Sequence, residues 1–146
     1  MAFAAHIAIA KRYGKPLVIH DRDAHRRVLE VLDAEGAPDT VILHCFSGDE
    51  AFAVECVRRG YLLSFAGTVT FANAGHLRAA AAVTPPEQML VETDAPFLAP
   101  VPYRGKRCEP AYVKELSELV AQVKGCSLEE LSRATCETAQ GFFRNL

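Results

Sequence analysis

The sequence lacks the features that would place it in a membrane, fibrous or repeat class. It contains no low-complexity segment, no domain linker and no sequence repeat apart from an alternation of strands and helices. No apolar run approaches the roughly 20 residues that a transmembrane helix needs. The apolar start, MAFAAHIAIA, is followed by Lys11 and Arg12, whereas a secretory signal peptide carries its basic residues first. We therefore expect one domain over residues 1–146 and no membrane partner.

Excess positive charge is also missing. The chain has 16 Lys and Arg against 18 Asp and Glu, a net charge of −2, so any phosphate group must bind at a local basic patch. Half of the residues are hydrophobic and 23% are charged, which excludes general disorder. The five cysteines form no C-x-x-C pair and no zinc-type cluster, and their odd number favours reduced thiols in the cytoplasm.

Four short apolar runs alternate with helical patterns, which predicts an α/β fold. Such an order favours parallel strands joined by right-handed crossovers. The predicted strands are Leu17–His20, Thr40–His44, Tyr61–Phe65 and Met89–Glu92. The predicted helices before and between them are Ala2–Tyr13, Ala24–Glu35, Glu50–Arg59 and Ala74–Val83. Two more helices are expected near the carboxyl terminus, one with an apolar stripe from Tyr112 to Val123 and one opened by a capping box at Ser127–Glu130.

Polar residues stand where three of these strands end. His20 ends the first run, His44 ends the second, and Glu92-Thr93-Asp94 follows the fourth. Sites in parallel α/β folds lie at the carboxyl ends of the strands, and imidazole with carboxylate is a common ligand set for catalytic divalent ions. A single histidine at a strand end is more often structural, but two histidines and an aspartate at equivalent ends favour a metal site.

Neighbouring residues have subordinate expected roles. Asp21 and Asp23 are candidate acceptors for the N–H of a metal-binding imidazole. Cys45 follows His44 and is interpreted as a packing residue on the opposite side of an extended strand, not as a nucleophile.

Two loops have the composition of phosphate-binding segments. Ser47 and Gly48 join a strand end to a helix start, where free backbone N–H groups favour an anion, although Ser-Gly is also an ordinary turn. Arg104, Lys106 and Arg107 lie beside Tyr103 in a proline-rich loop, and such a group can neutralise phosphate and stack on a base. The alternative for this second loop is a solvated connection without a ligand.

Five runs together resemble the TatD family of metal-dependent deoxyribonucleases, which have an amidohydrolase-like barrel. They are Lys15–Ala24 (KPLVIHDRDA), His44–Gly48 (HCFSG), Ser64–Phe71 (SFAGTVTF), Glu92–Pro96 (ETDAP) and Pro102–Arg107 (PYRGKR). The resemblance implies that the strands are numbers five to eight of a (β/α)8 barrel, a partial TIM barrel followed by C-terminal helices.

The same resemblance implies the chemistry of the site. His20, His44 and Asp94 correspond to metal ligands, with Asp94 also the candidate catalytic residue and Glu92 a supporting group behind the ligands. The ion would be Mg²⁺, Mn²⁺ or Zn²⁺, and the substrate DNA. Arg104, Lys106 and Arg107 match the substrate-side loop.

The chain also departs from the family pattern. A complete barrel needs about 250 residues, and the family's first strand with His-x-His and its middle-strand bridging Glu have no counterpart in these 146 residues. We therefore expect the C-terminal portion of a TatD-like hydrolase. The alternatives are a non-catalytic fragment with an incomplete metal site and, with less support, another small-molecule hydrolase on the same barrel. Unpaired sheet edges would favour self-association.

Overall fold

A computed structural model describes residues 2–143, and its centre is one four-stranded parallel sheet. The strands lie in the order β1-β2-β3-β4, each paired with its neighbour in sequence. The register places His20 beside His44 and Leu63 beside Met89. The strands are β1 (Leu17–His20), β2 (Val41–His44), β3 (Leu62–Phe65) and β4 (Met89–Val91). The predicted α/β class and parallel order are confirmed.

Within residues 2–143, six α-helices accompany the sheet, and their ends lie close to the predicted positions. They are α1 (Ala2–Tyr13), α2 (His25–Glu35), α3 (Glu50–Arg58), α4 (Gly75–Val83), α5 (Val113–Lys124) and α6 (Leu128–Phe143). Three short 3₁₀ turns were not predicted, at Gly67–Thr70, Pro86–Gln88 and Pro110–Tyr112. None of the helices within residues 2–143 combines the length and the apolar character needed to span a membrane.

The capping box that opens α6 is present as predicted. The backbone N–H of Ser127 donates to Glu130 Oε2 at 2.8 Å, and the N–H of Glu130 donates to Ser127 Oγ at 3.2 Å. These reciprocal bonds satisfy two N–H groups that the first helical turn leaves free. The bond from Ser127 also holds the pKa of the Glu130 carboxyl below its usual value.

The core lies between one face of the sheet and the helices. Burial alternates along β1: Leu17 and Ile19 are buried against the helices, whereas Val18 and His20 point to the opposite face of the sheet and are exposed. Replacing a fully buried leucine such as Leu43 by alanine would cost about 2–5 kcal/mol. Other fully buried side chains of this core are Leu32, Leu63, Phe65, Met89, Leu116 and Leu131.

The opposite face of the sheet is unevenly covered, and its two edges pair with no further strand within residues 2–143. Val18 on that face is 56% exposed, whereas Ile42 and Ser64 on the same face are each 3% exposed. Within the described residues, β1 pairs with β2 alone and β4 pairs with β3 alone. The outer edges of β1 and β4 therefore present backbone groups that a further strand can pair with, as expected for part of a barrel.

Candidate metal centre

Three ligand-type side chains converge at the carboxyl ends of β2 and β4. One ligand atom each from His44, Glu92 and Asp94 can be chosen so that all lie within 4.8 Å of one another. His44 Nδ1 is 2.7 Å from Glu92 Oε1, and His44 Nε2 is 3.2 Å from Asp94 Oδ1. The imidazole is thus placed between two carboxylates, and all three side chains are half-buried.

Backbone pairing brings these residues together. His44 is the last residue of β2, and the N–H of Phe46 then donates to Ser64 O of β3 at 2.8 Å. The Glu92 N–H donates to Phe65 O at 3.0 Å, which carries the chain past the end of β4. Asp94 has a φ of +58°, a turn conformation uncommon outside glycine, and this turn follows Glu92 directly. The centre therefore depends on the parallel register of β2, β3 and β4.

The environment of Glu92 fits a cation. Its Oε2 accepts a hydrogen bond from Ser64 Oγ, which orients the carboxylate. Its Oε1 is buried and accepts no hydrogen bond from the described residues, although His44 Nδ1 lies near it. A buried carboxylate oxygen is incompletely satisfied when its one close contact, His44 Nδ1 at 2.7 Å, is not a well-formed hydrogen bond. A divalent ion would satisfy that oxygen, and the nitrogen and oxygen donors suit Zn²⁺ or Mn²⁺. The side chains present therefore fit a metal ion.

The structure brings together part of the ligand set expected from the sequence. His44 and Asp94 converge as predicted, and Glu92 Oε1 lies 2.7 Å from His44 Nδ1, a contact that fits either a ligand or the supporting group behind the ligands. His20 lies beside His44 on the same face of the sheet, with ring centroids 6.0 Å apart. It does not belong to the 4.8 Å group, so a ligand role for His20 stays a prediction. The spacing of Glu92 and Asp94, two residues apart after a strand, was the available signal for the third member.

The acceptor role expected for Asp21 toward a metal-binding imidazole is wrong in this arrangement. The Asp21 carboxylate contacts His25 Nδ1 at 2.5 Å and accepts the Ala24 N–H at 3.1 Å. It therefore stabilises the start of α2. Asp23 has a φ of +56° in the same turn and is exposed.

Cys45 is not extended, so the reason given for its packing role was wrong. Its φ is +45°, and its side chain borders a crevice next to His20 and Ser47. Burial raises the pKa of its thiol to about 12, and the nearby Glu92 and Asp94 carboxylates add to the shift. The thiol stays protonated at neutral pH, which agrees with the interpretation that Cys45 is not a nucleophile.

The Ser47-Gly48 turn makes internal contacts. Ser47 Oγ donates to Asp21 O at 3.0 Å, which ties the loop after β2 to the loop after β1. A Cβ on Gly48 would overlap Phe52 Cδ1 and lie 2.8 Å from Phe46 Cζ, so the aromatic packing itself requires glycine. The Asp49 carboxylate caps α3 by accepting the Phe52 N–H at 2.9 Å. Phosphate binding by Ser47 and Gly48 stays a prediction.

The basic loop lies on the same side of the molecule as the metal centre. The guanidinium of Arg104 stacks on the ring of Phe71, 3.5 Å from its centroid. Lys106 and Arg107 are exposed and make no ion pair with the described residues. The Tyr103 ring lies flat on Tyr112, with centroids 4.1 Å apart. Charge is therefore available in this loop, whereas one face of the Tyr103 ring is already covered.

A family model and several curated relatives match this chain. A family model described as TatD-related DNase matches residues 1–144. An uncharacterized metal-dependent hydrolase named TatD from Mycobacterium tuberculosis is 60% identical over 123 residues, which cover 82% of this chain and 47% of the relative. The uncharacterized metal-dependent hydrolase YabD of Bacillus subtilis is 43% identical over 143 residues, which cover 97% of this chain and 56% of the relative.

A solved structure shows the same fold. The crystal structure of the TatD homologue YJJV from Escherichia coli superimposes with a TM-score of 0.86 at 27% identity, over 92% of this chain and 52% of that protein. The chain therefore spans about half the length of the curated relatives it matches.

Proposed function

This chain belongs to the TatD-related DNase family of metal-dependent hydrolases, and from that premise we propose that it hydrolyses DNA phosphodiester bonds at the centre formed by His44, Glu92 and Asp94. The observation that carries the proposal is the convergence of these three ligand groups at the strand ends. A basic loop on the same side of the molecule adds the charge that a phosphodiester substrate needs.

Each residue of the centre has a role that follows from its contacts. His44 offers an imidazole nitrogen, and Glu92 and Asp94 offer carboxylate oxygens to a divalent ion such as Mg²⁺, Mn²⁺ or Zn²⁺. Such an ion, when bound, lowers the pKa of water and withdraws charge from a phosphoryl oxygen. Asp94, the catalytic residue of the proposal, accepts the proton of the attacking water at a carboxylate oxygen. Ser64 orients the carboxylate of Glu92 through its hydroxyl.

The substrate side of the proposal depends on local charge. Lys106 and Arg107 are exposed, and Arg104 is held in place by Phe71. Because the chain as a whole is not basic, phosphate groups must bind at a local patch of positive charge. In the proposal these three side chains form that patch and contact successive phosphates. Ser47 and Gly48, in the loop after β2, are the second proposed phosphate contact.

The match to metal-dependent hydrolases favours a catalytic protein over the non-catalytic alternative. A cytoplasmic location is part of the proposal, since Cys45, Cys56, Cys108, Cys126 and Cys136 are all unpaired, as reduced thiols are in that compartment.

The test compares two histidine variants. His44→Ala should lower Mn²⁺ and Zn²⁺ affinity in calorimetry and reduce metal-dependent cleavage of a single-stranded oligonucleotide. His6→Ala is the matched control, because this exposed histidine of α1 lies outside the ligand group and does not line the crevice beside His20. Equal metal affinity in both variants would contradict the metal centre. Metal binding without any DNA cleavage would contradict the choice of substrate.

A further inference from the structure

Phe97 is an exposed aromatic residue next to the metal centre. Its side chain is 69% exposed, compared with 61% for Tyr13 and 49% for Phe143. The ring of Tyr13 has Arg12 over its face, and the ring of Phe143 contacts that of Phe142. Within residues 2–143, the ring of Phe97 contacts no aromatic ring and no cation.

The position of Phe97 is set by the residue that ligates the metal. Its backbone N–H donates to Asp94 O at 2.9 Å, so the ring projects from the turn that carries the ligand carboxylate. The following segment crosses close above Gly67, where a Cβ would overlap Leu98 O and lie 3.2 Å from the Pro100 nitrogen. This contact holds the segment against the loop that follows β3.

The other aromatic rings near the site are already partnered. Tyr103 is stacked on Tyr112, and the ring of Phe71 is covered by Arg104. Tyr13 and Phe143 belong to the opposite end of the sheet, since Tyr13 precedes β1 and the end of α6 borders Pro16 and Thr40. Among the exposed rings near the metal centre, Phe97 is therefore one that no ring or cation of residues 2–143 covers on either face.

We propose that Phe97 is a stacking platform for an unpaired base of the substrate, beside the phosphodiester bound at the metal centre. The inference rests on the proposed DNA substrate and adds the residue that holds a base. Every base has a flat π-face, so the platform would accept single strands without sequence preference. Leu98 and Val101, which are 36% and 47% exposed, extend the apolar surface, and the basic loop supplies charge for the phosphates.

The experiment separates base stacking from phosphate binding. Binding of labelled oligothymidylate with phosphorothioate linkages is compared with binding of an abasic oligonucleotide of the same length and linkage, in Mg²⁺, so that the centre keeps its metal and cleavage is suppressed. Phe97→Ala should weaken oligothymidylate binding by about 5- to 150-fold, the effect of losing one stacked base. The affinity of the Phe97→Ala variant for the abasic strand should equal that of the original protein. Phe97→Tyr should bind both strands like the original protein, whereas Phe97→Leu should behave like Phe97→Ala.

A second variant gives a spectroscopic readout. The sequence contains no tryptophan, so Phe97→Trp introduces a single tryptophan, which can be excited separately from the four tyrosines. Its emission should be quenched by oligothymidylate and unaffected by the abasic strand. Phe143→Ala is the matched control, since it removes an exposed ring at the other end of the sheet and should leave both affinities unchanged.

The outcomes distinguish the platform from the DNA substrate. Equal affinities of Phe97→Ala and the original protein for oligothymidylate, or retained affinity in Phe97→Leu, would overturn the platform and leave the nuclease proposal intact. Failure of the original protein to bind either strand would overturn both. Because Phe97 is exposed, its variants should have the melting temperature of the original protein. The quenching test with Phe97→Trp gives a result even where the alanine variant does not fold.

Discussion

Replacing Glu92 by glutamine should affect metal binding and stability in different directions. Glu92→Gln keeps the size of the side chain and its contact with Ser64 but removes one negative charge from the centre. The ligand atoms of Glu92 and Asp94 lie within 4.8 Å of each other. For two unit charges 4.8 Å apart and an effective dielectric constant of about 20, Coulomb's law gives a repulsion of about 3 kcal/mol between the carboxylates. The imidazole between them offsets part of this repulsion.

The protein without metal should therefore gain or keep stability in the variant, whereas the affinity for metal should fall. Removing a group that orients or supports a ligand costs 10- to 100-fold in metal affinity, about 1.4–2.8 kcal/mol. We expect at least that loss for Zn²⁺ and Mn²⁺ in calorimetry at pH 8. In EDTA, the melting temperature should not decrease. Glu137→Gln, on the exposed surface of α6, is the control for the same chemical change.

The opposite pattern would refute this reasoning. A variant that loses stability in EDTA and keeps its metal affinity would show that Glu92 serves as a structural partner of His44. Oε1 of Glu92 would then be satisfied by His44 Nδ1, and the three-residue group would not be a cation site.

Three further predictions concern packing, pH and association. Gly48→Ala should destabilise the protein by about 1–3 kcal/mol in denaturant unfolding, because the new methyl group overlaps the rings of Phe46 and Phe52. Gly75→Ala is the control, since a Cβ at that position meets open space. Equal stability of the two variants would contradict the packing around Gly48. Burial raises the pKa of the Cys56 thiol from 9.0 to about 12. Between these two pH values the thiol keeps its proton in the folded state and loses it in the unfolded state. Stability should fall as the pH rises above 9, and Cys56→Ala should flatten that fall while Cys136→Ser should not. We also propose that the unpaired edges of β1 and β4 cause self-association, which Val18→Lys should weaken; sedimentation of a monomer at every concentration tested would exclude it.

Local signals in the sequence were sufficient to predict the strands, the α-helices and their order along the chain. Gly14 and Pro16 separate α1 from β1, and the exchange of hydrogen bonds between Ser127 and Glu130 opens α6, because both signals act within a few residues. The alternation of strands and helices implies a parallel sheet, and a parallel sheet brings the ends of its strands to one edge. That topology is why His44 and Asp94 could be predicted as neighbours from their sequence positions alone.

The tertiary structure decided which side chains complete the centre. Glu92 turns toward His44 because Ser64, on a different strand, binds its other oxygen. Asp21 bonds His25 instead of an imidazole at the centre, and Phe97 lacks the ring partner that Tyr103 has in Tyr112. These outcomes depend on contacts that form only when the chain is folded. Short-range sequence patterns determine backbone conformation, whereas side-chain partners are selected by distances between residues far apart in the chain.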